Sequence, residues 1–215
     1  QQVVAGDVFP QALVLGQKAD VESPPRQVDA QSLQDDGAWL ILTRGHELGR
    51  TLADQFANAN ASYELLDVAG GLQCLESAIA SFVSANRDCP VHTICLTTLP
   101  DGSEQPGSAA APDRVAGASQ SWIEVIRATT SAGVESLSFV TMGARKLLDD
   151  ANADLLQAAL TGLGNVAWAE YQHLAIRQVD VDPLADSTLN AKCLYQELTS
   201  PTEKNRIAFR SGQRF

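Results

Sequence analysis

The chain has 215 residues, 45% hydrophobic and 19% charged, with 26 acidic against 15 basic side chains and a formal net charge of −11. That length and apolar content suit one domain with its own core and exclude disorder as a description of the whole. The acidic balance, with no Lys/Arg cluster, argues against nucleic-acid and membrane partners, and no apolar run approaches a membrane span.

Residues 1–37 carry Pro10, Pro24 and Pro25 among polar spacers and read as a linker or extended lead-in with one short strand at most. No basic segment followed by an apolar one opens the chain, so no secretory leader is signalled and a cytoplasmic location is expected. Cys74, Cys89, Cys95 and Cys193 form no C-x-x-C pair, so neither a disulfide framework nor a zinc site is expected. Cys95 reads as a small core hydrophobe.

From residue 38 the chain alternates short β-rich runs with helical patterns. AWLILT (Ala38–Thr43) is a continuous apolar run, as in a strand buried on both faces. ELGRTLADQFANA follows, with Leu48, Leu52 and Phe56 four apart on one helix face. Ser62–Val68 predicts a second strand, LQCLESAIASFVS a second helix, and Val91–Thr97 a third strand. The polar stretch TLPDGSEQPGSAAAPDRVAG predicts a loop. Then come helix SQSWIEVIRATTSA, strand Ser136–Met142, helix DLLQAALTGLGNVAWAEY, strand Leu174–Asp182, helix LNAKCLYQELTS and a terminal strand with a tail, NRIAFRSGQRF. Such repetition implies right-handed βαβ crossovers, hence an α/β, Rossmann-like three-layer sandwich with a mainly parallel sheet over residues 38–215.

In such a sheet the loops after the strand C-termini carry ligands. The first, Thr43–Arg50, keeps only Gly45 and Gly49 of a dinucleotide fingerprint, with His46, Glu47 and Leu48 between them. Glu47 places negative charge where phosphates would sit, so the loop reads as a degenerate nucleotide loop that only turns the chain. Asp67, at the end of the second strand, could hold a ribose hydroxyl, but with the glycine loop broken the capping role before Gly70-Gly71 is favoured. Tyr63, Tyr171 and Tyr195 are followed four residues later by Asp67, Ala175 and Thr199, so no Tyr-x-x-x-Lys or Tyr-x-x-x-Asn pair exists for general-acid work.

The histidines, His46, His92 and His173, share no metal-ligand spacing. His92 reads as a solvated or capping residue, and His173 as a turn residue. Asp180 and Asp182, on one face of a strand end, could pair as carboxylates or bind metal, but capping the next segment before Pro183 is the favoured role. Trp122, Phe139 and Trp168 read as core or docking residues. Ala158, Ala159, Gly162 and Gly164 form a small-residue stripe that fits close packing on the sheet and docking of a partner domain equally well. No catalytic, cofactor-binding or metal-binding residue is assigned.

The strings VTMGA (Val140–Ala144), QAALTGLGNVAWAEY (Gln157–Tyr171) and RQVDVDP (Arg177–Pro183), in this order, resemble the structural subdomain of ketoreductases in modular polyketide synthases. WLILTRGHELGRTLADQF is similar to the first βα unit of that subdomain, and NRIAFRSGQRF to its closing strand. The resemblance covers about Trp39–Phe215, and departs from the family pattern at Thr161, Asn165 and Gln172. It implies a truncated, non-catalytic half that binds no cofactor and braces a catalytic half. That half would carry NADPH and reduce carrier-bound β-ketoacyl thioesters to β-hydroxyacyl thioesters. The catalytic subdomain would be expected to begin where this sequence ends. Implied partners are that half, neighbouring synthase domains and an acyl carrier protein. Similar non-catalytic halves occur in fatty acid synthases. Two alternatives stay open: a stand-alone divergent NAD(P)- or S-adenosylmethionine-dependent enzyme using Thr43–Arg50 and Asp67, and a pseudo-ketoreductase scaffold within a synthase.

Overall fold

The computed structural model describes residues 37–68, 74–99, 112–147, 153–200 and 204–215. Nearly all of the lead-in, residues 100–111 of the polar stretch and Gly70-Gly71 lie outside them. The first half holds β1 (Ala38–Thr43), α1 (Glu47–Asn58), β2 (Ser62–Asp67), α2 (Leu75–Ala85) and β3 (Val91–Cys95). The second holds α3 (Pro112–Ala132), β4 (Ser136–Met142), α4 (Leu155–Glu170), β5 (Ala175–Val181), α5 (Ser187–Thr199), β6 (Arg206–Arg210) and β7 (Gln213–Arg214). The strands form one sheet in the order β2-β1-β3-β4-β5-β6-β7, parallel except for the last pair. This is the expected α/β, Rossmann-like sandwich.

The side-chain alternation of the central strands sorts the core into two layers. Leu40, Leu42, Cys95, Leu137, Phe139 and Ile176 face α2, α3 and α4. Trp39, Ile41, Ile94, Val140, Val179 and Ile207 face α1 and α5. Trp122 of α3 stacks on Phe139 with centroids 4.0 Å apart, and its Nε1–H donates to Thr98 Oγ1 at 3.1 Å, so its polar handle is satisfied within the core. All four cysteines are thiols, and Cys95 is fully buried. No described helix is long and apolar enough to cross a membrane.

Two expectations need correction. The predicted loop ends earlier than its composition suggests, because Pro112 starts α3 and Asp113-Arg114-Val115-Ala116-Gly117 are helical. Pro suits the first helical turn, where its missing N–H is not needed. The terminal tail folds back as β7, with Ser211 and Gly212 at φ +50° and +74° making the tight turn.

Candidate functional site

Strand order reverses at β1, with β2 on one side and β3 on the other. In an open parallel sheet the crevice beyond the strand ends at such a switch point is where a ligand would sit. Here that place is the β1–α1 turn. Gly45 has φ +76°, and the chain enters α1 through His46 in extended conformation. His46 Nδ1 accepts the Leu48 N–H at 3.0 Å, taking a helix N-terminal donor that a phosphate would otherwise receive. Glu47 follows as the first helical residue. A phosphate brought to this turn would have to displace the imidazole and approach a carboxylate. These residues do not fit a dinucleotide pyrophosphate.

One fingerprint role does survive. An ideal Cβ at Gly49 would lie 2.8 Å from Thr43 Oγ1 and 2.9 Å from its Cβ, so glycine is what lets α1 pack closely onto β1. Asp67 is not a helix cap, since α2 is entered through Cys74, seven residues later and without a side-chain cap bond. Asp67 pairs in register with Thr43, and its carboxylate lies over the Gly45 turn, 3.8 Å from where a Cβ would stand.

The neighbouring strand ends are filled by polar side chains. Asp180 is buried; its Oδ1 accepts from Thr141 Oγ1 and the Ala144 N–H, both at 2.8 Å. Its Oδ2 accepts from the Arg145 N–H at 3.2 Å and pairs with Arg210 Nη2 at 2.9 Å. Arg210, itself buried, also donates to the Arg145 and Phe209 carbonyls. Asp182 accepts from the Leu184 N–H at 2.9 Å and, through its other oxygen, from the Ser211 N–H at 2.6 Å. The expected capping role therefore holds only for Asp182 Oδ1. Asp180 is a strand-locking anion, and the helix cap is Asp186. Among the described residues no group of three or more His, Cys, Asp or Glu could hold a metal.

His92 is buried, not solvated. Its Nδ1 lies 2.8 Å from Ser136 Oγ, its ring packs on Trp39, and burial with the nearby Arg177 charge lowers its pKa to about 4. His173 is an exposed turn residue beside Tyr171. The three tyrosines are far from the crevice. Tyr63 lies near the start of β2, Tyr171 ends α4, and Tyr195 packs edge-on against Phe56 in the last turn of α1. On α4 the small residues split. Gly164 abuts Gln178, whereas Gly162 meets nothing within 4 Å, and Trp168 is half exposed. The sequence reading missed Arg210 and Gln157. Gln157 donates to the Thr98 carbonyl at 2.6 Å and accepts from the Met142 N–H, tying the ends of β3 and β4. Asp154 with Gln157 three residues on, a capping-box spacing, was the available signal for Gln157.

This geometry is the Rossmann-like fold of short-chain dehydrogenases and ketoreductases. Its structural neighbours include a C2-type ketoreductase from a modular polyketide synthase (TM-score 0.65, 24% identity, 82% of this chain and 38% of that one). They also include the first ketoreductase of the tylosin polyketide synthase (TM-score 0.61, 16% identity, 83% and 37%). A short-chain dehydrogenase from Rhodopseudomonas palustris matches at TM-score 0.50 and 13% identity, over 81% and 98%. The chain thus spans under two fifths of the length of those two ketoreductase chains. At these identities the likeness establishes the fold. No family model and no curated protein matches the sequence.

Proposed function

We propose that this chain is the structural, non-catalytic half of a polyketide synthase ketoreductase. In this reading it stabilises an NADPH-dependent catalytic half in a cytoplasmic multidomain enzyme and helps present carrier-bound β-ketoacyl thioesters to it. The observation that carries the reading is the β1–α1 turn, where His46 caps the donor a phosphate needs and Glu47 repels the phosphate itself. The remote tyrosines and the Asp180–Arg210 pair at the strand ends support it. So does the partial span of the ketoreductase chains it resembles.

The test is reconstitution. The chain alone is expected not to turn over a β-ketoacyl thioester with NADPH. Added in trans to a ketoreductase catalytic half, it is expected to raise that half's melting temperature and turnover. NADPH-dependent reduction by the chain alone would overturn the reading.

One observation favours a stand-alone nucleotide-dependent enzyme as the second reading: the Asp67 carboxylate over the Gly45 turn, where a ribose-binding acid would lie. That reading requires saturable cofactor binding that Asp67→Ala abolishes.

A further inference from the structure

The two edge strands of the sheet differ. β7, at one end, is two residues long. β2, at the other, runs for six residues, Ser62–Asp67, with no proline, lysine, glycine or bulge to keep a further strand from pairing. Ser62, Tyr63, Glu64 and Asp67 are exposed, whereas β1 beside them is buried throughout. The Val68 N–H donates to the Thr43 carbonyl at 2.8 Å. Backbone groups alternate in direction along a strand, so Ser62, Glu64 and Leu66 point theirs at β1. Tyr63, Leu65 and Asp67 point theirs at the open edge.

An antiparallel copy of β2 meets that edge in a register centred on Leu65. The two Leu65 residues then exchange N–H···O=C bonds across a two-fold axis, and Tyr63 lies opposite Asp67 of the copy on either side. On the other face Glu64 lies opposite Leu66 of the copy. Centring on Glu64 or on Asp67 would instead set carboxylate against carboxylate.

The helix over the edge matches the same axis. α1 packs over β1 and β2, so its copy would run antiparallel to it two strand spacings away, about 10 Å, the ordinary separation of packed helices. Glu47 accepts from Ser187 of α5, so that flank of α1 faces α5. The flank carrying Arg50, Ala53 and Ala57 is turned to the edge. Phe56 packs on Trp39 and Tyr63, which pair in register two residues before Leu65. Four helical residues span the same rise, about 6 Å, so Leu52 stands level with the axis. Arg50 and Asp54, both exposed, lie two residues either side of it. Each Arg50 thus comes opposite Asp54 of the copy, with the small Ala53 between the helices.

We infer that β2 pairs antiparallel with β2 of a second copy of this chain, continuing the sheet across a two-fold axis at Leu65, with two reciprocal Arg50–Asp54 ion pairs between the α1 helices. The inference concerns pairing of the chain with itself and does not depend on the proposed bracing role.

The experiment is sedimentation equilibrium of the full chain and its variants, with circular dichroism as the folding control. The wild type is expected to dimerise reversibly. Leu65→Pro removes an N–H that faces the edge and none that bonds β1, so it should give a folded monomer. Arg50→Asp and Asp54→Arg should each weaken the dimer about tenfold, because two exposed attractions become repulsions. Mixing those two variants should restore it, since every facing pair in the mixed dimer is again of opposite charge. If Leu65→Pro does not fold, the charge variants decide. A wild type that stays monomeric up to about millimolar concentration, the weak limit of useful affinity, would overturn the inference. So would a dimer indifferent to a folded Leu65→Pro, or two charge variants that do not complement each other. Residues 1–36, or a strand of another protein, on this edge would leave the chain monomeric alone and would overturn it too.

Discussion

At the residue scale, the Asp180–Arg210 ion pair is buried, its side chains 2% and 7% exposed. Taking two charges from water is costly, and the cost is met by filling the lone pairs of Asp180 with Thr141, Ala144 and Arg145 donors. Removing one partner strands the other. Arg210→Met should therefore destabilise the fold by about 3–5 kcal/mol, read as a lower midpoint in urea. The double variant Asp180→Asn/Arg210→Met should recover part of that loss, since no charge is left unpaired. His92 gives a pH dependence of known sign. Burial and the nearby Arg177 charge lower its folded pKa from the usual 6.5 to about 4, so the unfolded state binds the proton more readily. This contribution is present above pH 6.5 and is lost as pH falls towards 4, at up to about 1.4 kcal/mol per pH unit. Proton NMR should find one imidazole titrating near 4, and that resonance should vanish in His92→Gln.

At the scale of elements, glycines with different neighbours should behave in opposite ways. Gly49→Ala pushes a methyl into Thr43 and should loosen α1 from β1, lowering the melting temperature. Gly117→Ala on α3, with nothing within 4 Å, should raise stability by about 0.5–1 kcal/mol through helix propensity alone. The sequence patterns made β4 and α4 legible almost to the residue, because Ser136–Met142 is a continuous buried run and Leu155–Glu170 buries a regular stripe. The start of α3 was hidden because Ala116-Gly117 and Pro112 carry the composition of a loop while serving as a helix opening. The mainly parallel sheet followed from the strand–helix repetition, whereas the strand order β2-β1-β3-β4-β5-β6-β7 did not. Nor did the polar lock at the strand ends, because Asp180 and Arg210 are 30 residues apart in sequence and meet only through the sheet. His92 was misread for a similar reason: Ser136 and Trp39, which bury it, come from neighbouring strands.

At the scale of the whole molecule, a nucleotide-type sheet is combined with a β1–α1 turn in which His46 takes the Leu48 N–H and Glu47 opens the helix. In the sequence, the β1–α1 loop shows only Gly45 and Gly49 of a dinucleotide fingerprint. The imidazole of His46 on the helix N–H arises only in the folded turn. Gly49 against Thr43 serves packing, and in the proposed reading the turn offers no phosphate site. A calorimetric titration of the full chain with NADPH tests this most directly. The account predicts no saturable heat up to about millimolar cofactor, the weak limit of useful affinity. Saturable binding at about micromolar NADPH, lost on Asp67→Ala, would contradict it and make the β1–α1 turn a working cofactor site.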